Sequence, residues 1–123
     1  MTYIEGFVIA VPTANKQKFI DHAKASDSVF IEHGATRVIE SWQEDVPRGK
    51  TTDFYGAVDA KDDESIVFSW IEWPDKATRS AMAAQMDDLM KSDDRFNPEK
   101  DPMPFDGMQM IYGGFSPIVE LGE

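Results

Sequence analysis

The stretch IVFSWIEW, residues 66–73, carries large apolar side chains at positions of both parities. Successive side chains of a strand point to opposite sheet faces, so Ile66, Phe68 and Trp70 face one way while Val67, Ile71 and Trp73 face the other. Any sheet that holds this strand therefore needs cover on both sides. The opening YIEGFVIAVP and the later MQMIYGGFSPIVEL pose the same problem, because each is strand-like and apolar on both parities.

The segments between these strands supply some of that cover. TANKQKFIDHAKASDSVFIEHG predicts a helix capped by Thr13 or Asn15, with Phe19, Ala23, Phe30 and His33 near helical spacing and Gly34 as a left-handed stop. ATRVIESWQED predicts a second strand, VPRGK a loop, and TTDFYGAVDA an additional short or edge strand. Pro74 ends IVFSWIEW, and Asp75 caps a second helix, KATRSAMAAQMDDLMKS, whose Met82, Met86, Leu89 and Met90 form an apolar stripe. DDRFNPEKDPMPFDG holds three of the seven prolines and predicts a long irregular connection.

The resulting order, β-α-β-(β)-β-α-β, places the chain in the α+β class. It predicts a single ferredoxin-like domain over residues 1–123, with an antiparallel sheet carrying two helices on one face. Two helices shelter one face only. The other would expose more apolar surface than a monomer tolerates, which predicts a homodimer joined through that face. The alternative is that the additional segment and the proline-rich loop fold back over it.

A net charge of −11 repels phosphate backbones and anionic headgroups, so neither nucleic acid nor a membrane surface is an expected partner. The chain has no cysteine, which removes disulfides, thiolate metal ligands and a thiol nucleophile. No His-x-His, His-x-x-x-His or Glu-x-x-His spacing occurs, and neither a metal nor another cofactor is expected. With no leader-like start and no run near the ~20 apolar residues of a bilayer span, the expected location is the cytoplasm.

Glu40 is the most suggestive single residue. It shares a strand face with Val38 and Trp42, so a carboxyl lies among apolar groups, where burial would raise its pKa and suit it to general acid or base work. Against that, it could pair with Arg37, Lys50 or a residue of a partner chain, or simply reach solvent from an edge strand, and the edge position favours such a structural role. His33, in the last helical turn, suits a hydrogen bond to a backbone carbonyl, while Asp21 and Lys24 place His22 on a solvated face. Glu40, Trp42, Ser69, Trp70, Tyr112 and His33 form the candidate ligand pocket, a few polar groups among aromatics. Arg48, Lys50 and Asp106 sit in loops expected at one end of the sheet, as a salt-bridged rim or an entrance that selects an anion.

YIEGFVIAVP, EHGATRVIE, EDVPRGK, IVFSWIEW and MPFDGMQMIYGGF, in that order and over nearly the whole chain, resemble the bacterial DUF1428 family with its YbaA-type members. That family resembles in turn the dimeric α/β-barrel superfamily. The resemblance implies two ferredoxin-like subunits with their sheets packed together, and a pocket between sheet and helices in each. The expected function is binding of a small, partly apolar or aromatic molecule. A non-catalytic interaction module and a cofactor-independent, monooxygenase-like enzyme are the alternatives.

Overall fold

Two ten-residue strands, β1 (Tyr3–Pro12) and β3 (Glu64–Trp73), run antiparallel down the middle of the sheet in unbroken register from Tyr3 opposite Trp73 to Pro12 opposite Glu64. The computed structural model describes residues 1–122. β2 (Arg37–Trp42) pairs with the free side of β3 and β4 (Met110–Phe115) with the free side of β1, giving the antiparallel order β2-β3-β1-β4. The edges are the two short strands, as the ferredoxin-like order requires.

The parity of IVFSWIEW resolves onto two different environments. Val67, Ser69, Ile71 and Trp73 are buried beneath helices, whereas Phe68, on the other face, is 44% exposed. The sheltering layer begins with α1 (Lys16–Glu32), which buries Phe19, Ala23 and Val29. Its stop is Gly34, at φ 102°, as the sequence predicts. Its start differs: a 3-10 turn over Thr13–Asn15 leads in without a side-chain cap, because the Asn15 amide donates to the Pro104 carbonyl instead, at 2.9 Å.

The second helical segment starts on the predicted cap, with the Asp75 carboxylate accepting from the Thr78 N–H at 2.7 Å. It is broken at Gln85 into α3 (Lys76–Ala84) and α4 (Met86–Ser92), with Met82 fully buried and Met86 and Leu89 half-buried. The connection after it wraps over this same layer. Phe96 packs against Phe30 with ring centres 5.4 Å apart, and Phe105 against Phe19 at 5.9 Å.

TTDFYGAVDA is not a strand. Asp53 accepts from the Gly56 N–H at 2.7 Å and caps a short helix, α2 (Phe54–Ala57), while the Tyr55 hydroxyl donates to the Val46 carbonyl. The cap supplies locally the partners that a strand would have to find in a neighbour. α2 lies on the face away from the other helices, where Val58 packs with Ala10 and Ile66. One end of that face is thus covered, as the fold-back alternative proposes, but by this segment alone; the proline-rich loop goes to the helical side. Ile4, Val8, Phe68, Trp70, Ile111 and Phe115 line a wide apolar trough of about 670 Å³ over the rest.

β4 carries a close approach that requires glycine. Gly114 pairs with Glu5, and a Cβ there would overlap the Tyr3 hydroxyl and crowd the Arg79 guanidinium. Arg79 stacks over the Tyr3 ring, and Glu5 accepts from the Trp73 indole N–H at 2.8 Å, so a polar knot ties β1, β3 and α3 at this corner.

Candidate functional site

Glu40 lies opposite Ser69 in the β2–β3 register, and both side chains point toward the helices. β2 is an edge strand, and a groove runs between it and α1. The helix presents Asp27, one turn beyond the buried Ala23. The two carboxyls line the same wall of the space between sheet and helices, close enough to perturb each other's titration, and Ser69 lies opposite Glu40 on the neighbouring strand. Among the described residues no ion pair engages either of them.

This lack of compensation sets their chemistry. Apolar surroundings push Glu40 up to about 9, and the neighbouring Asp27 adds to the rise through its charge and its side-chain contact. Burial raises Asp27 as well, against the opposing effects of the Glu40 side chain and the charge of His22. The two therefore titrate as a unit, and Glu40 keeps its proton at neutral pH.

The pair stands between two cavities. On the inner side, between sheet and helices, a space of about 460 Å³ is lined by apolar groups including Phe7, Phe30, Ile71 and Met86. On the outer side, a groove of about 540 Å³ between α1 and β2 is lined by Lys16, Lys24, Ile31 and Trp42. Water in this groove reaches Glu40, which is exposed there although its inner surroundings are apolar.

His22 also lines the inner cavity. Its Nδ1 lies 3.1 Å from an Asp101 carboxylate oxygen, yet the contact is misaligned and the atom, sealed from water, makes no hydrogen bond. Its side chain is 15% exposed, so the solvated face expected from Asp21 and Lys24 is incorrect: the loop that brings Asp101 covers it. Arg95, at the same rim, is held by Glu32 and Asp93.

Only part of the predicted pocket assembles. Glu40 and Ser69 meet in the inner cavity, and Trp42 joins Glu40 in the outer groove, where Lys16 sits over its ring. Trp70 faces the opposite side of the sheet and donates to Glu72. Tyr112 stacks on Phe7 at the far edge, three strands from Glu40. His33 does not enter the cavity; its Nδ1 bonds the Val29 carbonyl at 2.9 Å and closes the end of α1.

The predicted rim does not form either. Arg48 stacks on Tyr55 near α2, Lys50 is exposed, and Asp106 caps its own turn through the Met108 N–H. The loop after β2 is drawn to the α2 face by the Asp53 cap, and the loop before β4 to the helical face by Phe105.

Asp27 and Asp101 were not among the predicted site residues. Asp27 had a signal: an acidic residue four positions after Ala23 falls on the buried stripe of α1. Asp101 had none, because its approach depends on how the loop wraps. Among the described residues no helix is long and apolar enough to cross a membrane, and no cluster of three or more His, Asp or Glu could hold a metal ion.

Residues 2–107 match the model of a family described as protein of unknown function (DUF1428). The chain belongs to the DUF1428 family. It is 46% identical over 120 residues to the uncharacterized protein YbaA of Escherichia coli K12, covering 98% of this chain and 99% of that one. YbaA of Shigella flexneri is similar to the same extent. At the level of fold, the DUF1428 chain is similar to the crystal structure of a dimeric ferredoxin-like protein from an uncultured marine organism. That likeness has a TM-score of 0.63 at 12% identity and covers 98% of both chains.

Proposed function

We propose that the chain binds a small, partly apolar or aromatic molecule in the cavity between sheet and helices, and does so as a homodimer joined through the trough on the opposite face. The observation that carries the binding reading is the Asp27–Glu40 pair, set without a cation in a cavity of about 460 Å³ whose other walls are mainly apolar. Two carboxyls converging on one mainly apolar recess are the few polar groups among apolar walls that a small-ligand pocket presents.

The homodimer is supported by the aromatic trough and by the similar fold described as dimeric. Sheets joined this way would bury Phe68, Trp70 and Phe115, and leave the carboxyl pair on the outer, helical side of each sheet.

A thermal-melting screen tests the ligand. Cyclic ketones, phenols, aromatic acids and aliphatic alcohols are each added at millimolar concentration. A compound present at about 100 times its Kd stabilises the folded state by about 2.7 kcal/mol, which raises Tm by several degrees. If no class moves Tm, the binding reading is wrong.

A further inference from the structure

We propose that Asp27 and Glu40 act as an acid–base pair that moves a proton between carbon and oxygen of an enolisable carbonyl compound with an apolar or aromatic body. This rests on the binding reading above and assigns the chemistry of the same cavity.

The argument is geometric. Two neighbouring carboxyls line one wall of an apolar recess, where one can offer a basic oxygen and the other an acidic hydrogen. A ketone or aldehyde offers two atoms at a matching separation: its oxygen, which accepts a proton, and the neighbouring carbon, which releases one. In apolar surroundings a free enolate would be poorly stabilised, so delivery of a proton to oxygen must accompany removal from carbon. A single carboxyl cannot do both.

In the step, the Asp27 carboxylate takes a proton from the carbon next to the carbonyl. The C–H electron pair becomes the carbon–carbon double bond, and the carbonyl π pair moves to oxygen, which takes the Glu40 proton. The product is a neutral enol, with Asp27 protonated and Glu40 ionised. Nothing is oxidised or reduced, and the reverse step restores both carboxyls. Water in the outer groove reaches the pair from behind, so the Asp27 proton exchanges with solvent between the forward and reverse steps.

The surrounding groups fit these roles. The Ser69 hydroxyl, 2% exposed, steadies Glu40 as its charge develops. His22 lies on the Asp27 side and favours its ionised form. The other charged groups lining the two cavities are Asp101 and Arg95 inside, the latter held by Glu32 and Asp93, and Lys16 and Lys24 outside.

The test is hydrogen–deuterium exchange followed by proton NMR in deuterated buffer, with phenylacetone, 2-tetralone and 1-indanone as probes, and their binding measured separately by melting shift. For a probe that binds, exchange at the carbon beside the carbonyl should run about 10²-fold or more above buffer. Glu40→Gln and Asp27→Asn should each abolish that gain while circular dichroism and probe binding are retained. The rate should rise with pH as Asp27 ionises and fall again as Glu40 loses its proton. Probes that bind without accelerated exchange, or exchange that survives both substitutions, would overturn the proton-transfer proposal and leave the binding reading standing. Failure of every probe to bind, when other classes in the melting screen do, would overturn the carbonyl assignment alone.

Discussion

Asp27 of α1 and Glu40 of β2 bring two carboxyls to one wall of the cavity between sheet and helices, with no ion pair to either among the described residues. Like charges in such proximity cannot both ionise at neutral pH, so the fold holds a proton that the unfolded chain would release. The arrangement follows from topology. β2 is an edge strand, and a groove lined by both residues runs between it and α1.

Stability should therefore fall as pH rises. Both groups have folded-state pKa values above their unfolded ones, so their contribution is complete below the unfolded carboxylate pKa of about 4.3 and is lost as pH rises toward about 9. Replacing Glu40 with Gln keeps a neutral donor in place and removes its titration. The Tm of Glu40→Gln should vary less between about pH 5 and 9 than that of the wild type. Parallel curves for the two proteins would show that the pair is not protonated in the folded state.

The open face makes a second prediction. Phe68 is 44% and Phe115 61% exposed within one chain, on a surface rimmed by Trp70 and Ile111. Phe68→Asp would place a charge at the centre of the proposed subunit contact, where desolvating an unpaired carboxylate costs several kcal/mol. Sedimentation velocity at micromolar concentration should show a dimer for the wild type and a monomer for the variant. A monomeric wild type would remove the homodimer altogether.

The four strands and the C-terminal stop of α1 are legible in the sequence because they depend on period-two patterning, Pro12, Pro74 and Gly34, all local signals. Which strand face meets the helices is not legible, since the apolar groups of IVFSWIEW serve both sides equally well. Residues 51–60 mislead because Phe54, Tyr55 and Val58 resemble a strand while the Asp53 side chain decides the backbone. Strand parity groups Glu40 with Val38 and Trp42, but its meeting with Ser69 depends on the β2–β3 register, which the sequence does not show. Trp70 lies apart because it follows Ser69 in one strand and so faces the other side, and Tyr112 because parity assigns a face but not the distance across the sheet. His22 was misjudged for a related reason: its cover comes from a distant loop.

The Asp53 cap gives a third prediction. Its carboxylate accepts from both Gly56 N–H at 2.7 Å and Gly49 N–H at 3.1 Å, and these bonds hold it below the usual carboxylate range. Asp53→Ala should lower the urea midpoint and loosen α2 from Ala10 and Ile66. Amide exchange at Gly56 and Ala57 should quicken well before the rest of the chain. Unchanged protection there would mean that α2 is held by Val58 packing rather than by its cap.

Gly114 makes the last prediction, and it separates packing from backbone conformation. The residue lies in an ordinary strand, so alanine is no obstacle to its dihedral angles. The obstacle is the Tyr3 hydroxyl and the Arg79 guanidinium, which occupy the space a methyl group would need. Tyr3 is 8% exposed and pinned between Arg79 and the core, so it cannot simply swing away. Overpacking of this kind costs about 1–3 kcal/mol. Gly114→Ala should therefore destabilise the chain by about that amount in urea, while Tyr3→Phe in the same background should recover part of the loss by removing the clashing oxygen. Additive effects of the two substitutions would show that the strain arises elsewhere in β4.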